Sequence, residues 1–109
     1  MGHGAYILGC KGARLTAEEK AFFAAAQPWG FILFARNVRT PAQLRALTRD
    51  LREAVGRNAP ILVDQEGGRV QRLGPPHWRE WMAPLDQVAA AGASAERTMW
   101  LRYRIIAHE

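Results

Sequence analysis

The stretch Ile61-Leu62-Val63-Asp64-Gln65-Glu66-Gly67-Gly68-Arg69-Val70-Gln71-Arg72 decides how this chain is read. A short β-branched run ends abruptly in two carboxylates, two glycines and two arginines. Such a run fits a buried strand, and the polar residues after it fit a loop that the strand holds in place. In α/β proteins the strand fixes position and the loop at its carboxyl end presents chemistry. The segment therefore points to a polar ligand at the carboxyl end of a parallel strand.

Upstream, strands and helices alternate. Ala5–Cys10 is a short apolar run suited to a buried strand. Thr16-Ala17-Glu18-Glu19 has the form of a capping box, and the helix it opens, with Phe22, Phe23 and Ala26, stops before Pro28. Gly30–Ala35 is an uninterrupted apolar run, expected as a strand covered on both faces and closed by Arg36-Asn37. Thr40-Pro41-Ala42-Gln43 repeats the helix-start signal, with proline in the first turn. Leu44, Leu47, Leu51 and Val55 then share one helical face, and Gly56 is placed to end the helix. Ile61–Val63 completes a strand–helix–strand unit, whose crossover is right-handed by rule. The carboxyl ends at Arg36-Asn37 and Asp64-Gln65-Glu66 are expected on one rim.

Downstream the pattern weakens. Leu73–Asp86 holds three prolines and no clean periodicity, so a long loop is expected. Ala89–Ala95 reads as a connection. Ser94 is a candidate cap for a last helix, with Glu96 in its first turn and Met99, Tyr103 and Ile106 at helical spacing; the chain is expected to end within that helix.

Composition bounds the function. The 109 residues are 49% hydrophobic and 23% charged, with fifteen Lys+Arg against ten Asp+Glu and a net charge of +5, which fits a globular domain. The arginines are dispersed without an aromatic-plus-basic pattern, so no nucleic-acid partner is expected. Cys10 is the single cysteine, fitting a reducing compartment and a buried, inert thiol. No secretory signal or membrane-length apolar stretch is visible, so a cytoplasmic protein without a membrane partner is expected. No His/Cys/Asp/Glu cluster has metal-ligand spacing, and no metal or cofactor is expected.

Taken together, Gly30–Asn37 and Asp64–Arg72 resemble the amino-terminal part of bacterial β-N-acetylhexosaminidases of glycoside hydrolase family 3, and Leu15–Glu19 fits the first helix start of that family. The resemblance spans essentially the whole chain. It implies an α/β fold forming the first part of a TIM (β/α)8 barrel, truncated, because a whole barrel needs roughly 250 residues. Residues 1–109 are then the incomplete amino-terminal portion of the catalytic barrel. The implied enzyme is a retaining glycosidase removing terminal non-reducing β-linked N-acetylglucosamine during cytoplasmic peptidoglycan recycling. Asp64 is implied to accept hydrogen bonds from sugar hydroxyls, with Arg72 completing the polar cradle. The aspartate nucleophile and the His/Asp acid–base loop of the family lie later, so no catalytic residue is assigned and these 109 residues are expected to be inactive alone. Leu8-Gly9-Cys10 departs from the family by lacking the acidic residue often seen in its first strand.

The residues themselves fit this assignment. A carboxylate beside a guanidinium suits adjacent sugar hydroxyls, which donate and accept. Asp64 and Glu66 lie about 7 Å apart on an extended segment, beyond the roughly 5–5.5 Å of a retaining pair, so Glu66 has no assigned role. Bland readings stand beside these: Asp64 as a turn cap, Arg69 as a solvated charge or structural ion pair, and His77, Trp78 and Trp81 as packing rather than sugar-stacking groups. Two other classes remain open: a phosphate- or phosphosugar-binding module using the Gly67-Gly68-Arg69 loop as an anion nest, and a structural fragment with exposed apolar edges. Oligomeric state is not legible.

Overall fold

The computed structural model describes residues 2–109. They divide into two compact units, one ending at Val63 and one running from Asp64 to Glu109. Among the described residues, no helix is long and apolar enough to cross a membrane.

The first unit is a three-stranded parallel sheet with two helices. Strands β1 (Gly4–Leu8), β2 (Pro28–Leu33) and β3 (Ile61–Val63) are ordered β1-β2-β3. In the register Phe31 pairs with Ile61 and Leu33 with Val63, so β2 and β3 end level with each other. The apolar runs thus form strands, but β1 stops before Cys10 and β2 begins at Pro28 and stops before Phe34. A short 3-10 turn over Ala35–Asn37 follows, because the Asn37 side chain accepts from the Phe34 N–H at 2.9 Å and bends the chain there.

Helix α1 (Ala17–Ala26) opens on the expected capping box, the Thr16 side chain accepting from the Glu19 N–H and Glu19 reaching back to Thr16. Glu19 also accepts from the Lys11 N–H at 2.7 Å. Burial works to raise the Glu19 pKa, but the hydrogen bonds from Thr16 and Lys11 outweigh it and hold the carboxyl below its ordinary value. Helix α2 (Pro41–Val55) repeats the device with Thr40 and Gln43, and ends on Gly56 at φ 70°. A left-handed residue there releases the last carbonyls without a Cβ penalty.

Leu47, Leu51 and Val55 of α2 are buried with Phe23, Phe31, Leu33, Cys10 and Ala59, which make the core. Burying each large side chain contributes about 1.5–3 kcal/mol. Gly30 lets strand and loop close up: a Cβ there would lie 2.7 Å from the Pro60 carbonyl oxygen. Parallel strands are normally covered on both faces, and β2 was expected to be so. Within the expected run Gly30, Phe31 and Leu33 are buried, whereas Trp29 just before it is 42% exposed, and Tyr6, Ile7 and Leu62 of the flanking strands are exposed as well.

Asn37 is fully buried in this unit. Its Nδ2 donates to the carbonyls of Cys10 at 3.1 Å and Gly12 at 2.8 Å, fastening the end of β2 to the loop after β1. Cys10 is buried too. Loss of water around its thiol, reinforced by the negative charge of Glu19, raises its pKa above the ordinary value, as fits an unreactive side chain.

The second unit departs from expectation in two places. Residues after Asp64 form a small antiparallel hairpin, β4 (Gln65–Gly67) with β5 (Val70–Gln71), where a loop was expected. Within Leu73–Ala95, Pro84–Ala91 is helix α3, not loop and connection. Pro84 sits in its first turn, where a missing N–H costs nothing; the proline that argued for a loop starts the helix. After a 3-10 turn over Gly92–Ser94, helix α4 (Ala95–His108) packs on α3. Ser94 precedes it as expected but makes no side-chain cap.

Candidate functional site

The hairpin carries the residues singled out in the sequence. Gln65 pairs with Gln71 in the ladder, so Asp64 and Arg72 oppose each other one step further out. The Arg72 N–H donates to the Asp64 carbonyl at 3.3 Å. Opposed residues project to one side of an antiparallel pair, and here the Arg72 guanidinium stands 3.9 Å from the Asp64 carboxylate. Eight residues of separation become one charge pair.

This pair is open to water. The Asp64 side chain is 43% exposed and that of Arg72 26%. Among the described residues the Asp64 carboxylate accepts no side-chain hydrogen bond, whereas the Arg72 Nε is buried and without a partner. The Asp64 oxygens therefore keep unused acceptor capacity.

Two glutamines brace the hairpin, and sequence reasoning missed them. Gln65 accepts from the N–H groups of Arg72 at 3.2 Å and Leu73 at 3.0 Å, and donates to the Leu73 carbonyl at 2.7 Å. Gln71 donates to the Leu73 and Arg79 carbonyls and accepts from the Trp81 N–H at 2.9 Å. The signal was a glutamine on either side of Gly67-Gly68, two residues before the pair and three after it. Their partners are backbone groups of the following loop, which side-chain pattern does not encode.

The glycines turn the chain at φ 96° (Gly67) and 59° (Gly68). The Gly68 N–H donates to the Trp81 carbonyl at 2.7 Å, so this amide is not free to cradle an anion and the nest reading loses one of its donors. Arg69 is exposed and in no ion pair among the described residues, which matches a solvated charge. The Glu66 side chain is exposed, whereas its backbone carbonyl accepts from Arg102. A cleft of about 830 Å³ lies alongside, lined by Gly68, Arg69, Glu80, Trp81, Met82 and Asp86 among others. His77 is exposed and packs edge-on against Trp78, while the Trp81 indole N–H donates to Glu109 at 3.3 Å. Among the described residues no His, Cys, Asp and Glu group forms a metal cluster.

With this geometry in hand, the chain can be set beside known proteins. No family model matches it. A β-hexosaminidase of Photobacterium profundum is 48% identical over 70 residues, covering 64% of this chain and 21% of that protein. A β-hexosaminidase of Mannheimia succiniciproducens is 36% identical over 100 residues, covering 87% of this chain and 29% of that protein. Its relatives are bacterial β-hexosaminidases. An alignment over 87% of the chain necessarily takes in the hairpin, which lies far from both ends.

Solved structures agree. NagZ from Neisseria gonorrhoeae superposes with a TM-score of 0.76 at 29% identity in its zinc complex, covering 88% of this chain and 28% of that one. In complex with N-trifluoroacetyl-D-glucosamine the same protein gives 0.73 at 30% identity, covering 87% of this chain and 29% of that one. A glycoside hydrolase family 3 β-N-acetylglucosaminidase from Paenibacillus gives 0.69 at 26% identity, covering 82% and 18%. The chain thus spans under a third of the length of these relatives, and the parallel α/β arrangement is the part it shares.

Proposed function

We propose that residues 1–109 are the amino-terminal portion of a (β/α)8-barrel β-N-acetylhexosaminidase of glycoside hydrolase family 3. The observation that carries this reading is a sequence match, at 36% identity, running through the hairpin that pairs Asp64 with Arg72. The exposed Trp29, Tyr6, Ile7 and Leu62 support it, since further strands and helices of a barrel cover such surface. The substrate of the whole protein is then a terminal, non-reducing β-linked N-acetylglucosamine residue, and its setting is cytoplasmic peptidoglycan recycling.

In this reading Asp64 accepts from two adjacent sugar hydroxyls while Arg72 donates to their oxygens. The 3.9 Å separation leaves neither group saturated by the other, so both retain capacity for the ligand. Hydroxyl contacts of this kind strengthen as the ring distorts towards the oxocarbenium-like transition state, contributing to rate as well as affinity. Bond cleavage needs a nucleophile and a proton donor flanking the scissile bond. Neither Asp64 nor Arg72 fills those roles, so the 109 residues alone bind but do not hydrolyse.

The test is a titration of the isotopically labelled chain with N-acetylglucosamine, followed by amide resonances. Shifts concentrated at Asp64–Leu73 are expected, with no comparable response to inorganic phosphate. A response to phosphate and none to the sugar would favour the anion-binding alternative and overturn the reading. Release of aryl alcohol from an aryl N-acetylglucosaminide, above the buffer rate, would overturn the assignment of these residues to binding alone.

A further inference from the structure

The second unit buries a cation that the sugar-binding reading does not use. Arg102 of α4 is 1% exposed, and among the described residues no carboxylate lies within ion-pair distance of it. Burying an unpaired charge is costly, so the other contacts of this side chain must hold it. One terminal nitrogen donates to the Glu66 backbone carbonyl of β4 and the other to the side-chain oxygen of Gln87 on α3. The rings of Trp81 and Tyr103 lie 5.4 and 5.8 Å from the guanidinium carbon, within the range of favourable cation–π contact. A Cβ built on Gly67 would lie 2.4 Å from the Arg102 Nη2, so the guanidinium occupies space that glycine leaves open.

We propose that Arg102 is a positioning residue for the Asp64–Arg72 pair, an inference that rests on the sugar-binding reading of the hairpin. An isolated two-stranded hairpin is marginal in water, and β4 and β5 are only three and two residues long. The planar fork of an arginine joins two acceptors on different elements at once, which a lysine point charge does not reproduce. Through Glu66 it ties β4 to the α3–α4 pair. That contact lies two residues along the chain from Asp64, which immediately precedes β4, so it fixes where the carboxylate sits relative to Arg72.

Amide hydrogen exchange and N-acetylglucosamine titration on the full chain decide this. Arg102→Lys and Arg102→Met are expected to speed exchange at the Gly68 and Arg72 N–H groups about tenfold, to leave the Leu47 and Leu51 amides of α2 unchanged, and to weaken sugar binding. Gln87→Glu supplies the missing carboxylate and is expected to slow exchange at the same two amides while sugar binding holds. Unchanged hairpin exchange in Arg102→Lys overturns the proposal, as does a loosened hairpin that binds sugar normally. If the Arg102 variants fail to fold, Gln87→Glu decides: exchange that is unchanged or faster overturns it. A wild-type chain that does not bind the sugar overturns the functional reading, while the exchange rates still decide the tie.

Discussion

Asp64 and Arg72, eight residues apart, face each other across the first rung beyond the β4–β5 ladder, carboxylate to guanidinium at 3.9 Å. Exposed pairs of this kind contribute about 0–1 kcal/mol to stability. Removing either side chain should therefore leave the fold almost untouched and remove its ligand. Asp64→Ala and Arg72→Ala are expected to melt within a few degrees of the parent and to lose most N-acetylglucosamine affinity. Calorimetry paired with a sugar titration separates the two effects. An Asp64→Ala chain binding like the parent would refute the role given to the carboxylate.

Gly67 and Gly56 both have positive φ, at 96° and 70°, yet their substitution should differ sharply. A Cβ at Gly56 meets nothing within 4 Å, so Gly56→Ala carries only the left-handed backbone penalty, about 1–2 kcal/mol. A Cβ at Gly67 would meet the Arg102 Nη2 and the Met82 carbonyl oxygen, each at 2.4 Å. Gly67→Ala must add displacement of a buried guanidinium to that penalty, and should cost clearly more. Denaturant midpoints of the two variants give the ordering; equal losses would mean that the packing around Gly67 yields freely.

Local signals in the sequence were read correctly, and signals that depend on distant partners were not. Thr16 with Glu19, Thr40 with Gln43, and Gly56 each act within four residues of themselves, so both first-unit helices were legible to within a residue or so. The β4–β5 hairpin was not, because Gln65 and Gln71 act on backbone groups of Leu73, Arg79 and Trp81. Helix α4 shows the same limit. Met99, Tyr103 and Ile106 lie at helical spacing, but that spacing does not mark what is buried: Tyr103 is 48% exposed and the buried residue is Arg102. Its acceptors lie on β4 and α3, beyond any local periodicity. For the candidate site, the family resemblance put Asp64 and Arg72 in one polar cradle, whereas the hairpin register that opposes them, with Gln65 paired to Gln71, was not legible.

Asn37 should be the most sensitive polar position of the first unit. It is fully buried, donates to two carbonyls and accepts from the Phe34 N–H. Asn37→Leu keeps a similar volume but leaves the Phe34 N–H and the Gly12 carbonyl without this partner, while the Cys10 carbonyl keeps its bond from Arg36 Nε at 3.1 Å. Each buried unsatisfied group costs about 1–3 kcal/mol, so a total loss of about 2 kcal/mol or more is expected in urea unfolding. A loss under about 1 kcal/mol would show that water reaches the Phe34 N–H and the Gly12 carbonyl.

The pH dependence of the first unit should carry the mark of Glu19. Hydrogen bonds from Thr16 and Lys11 hold its folded pKa below the ordinary value of 4.5. The unfolded chain therefore binds the proton more readily than the folded chain in that range. Linkage then makes stability rise with pH wherever the unfolded state is the better proton binder. The contribution of Glu19 is complete above its unfolded pKa and is lost as pH falls through the folded one. Glu19→Gln keeps an oxygen acceptor for the cap but removes the charge. Its stability should fall below that of the parent at neutral pH, and the gap should close as the pH drops well below 4.5. Urea unfolding of both chains across that range measures the gap, and a difference that stays constant with pH would show that the Glu19 charge contributes nothing to the cap.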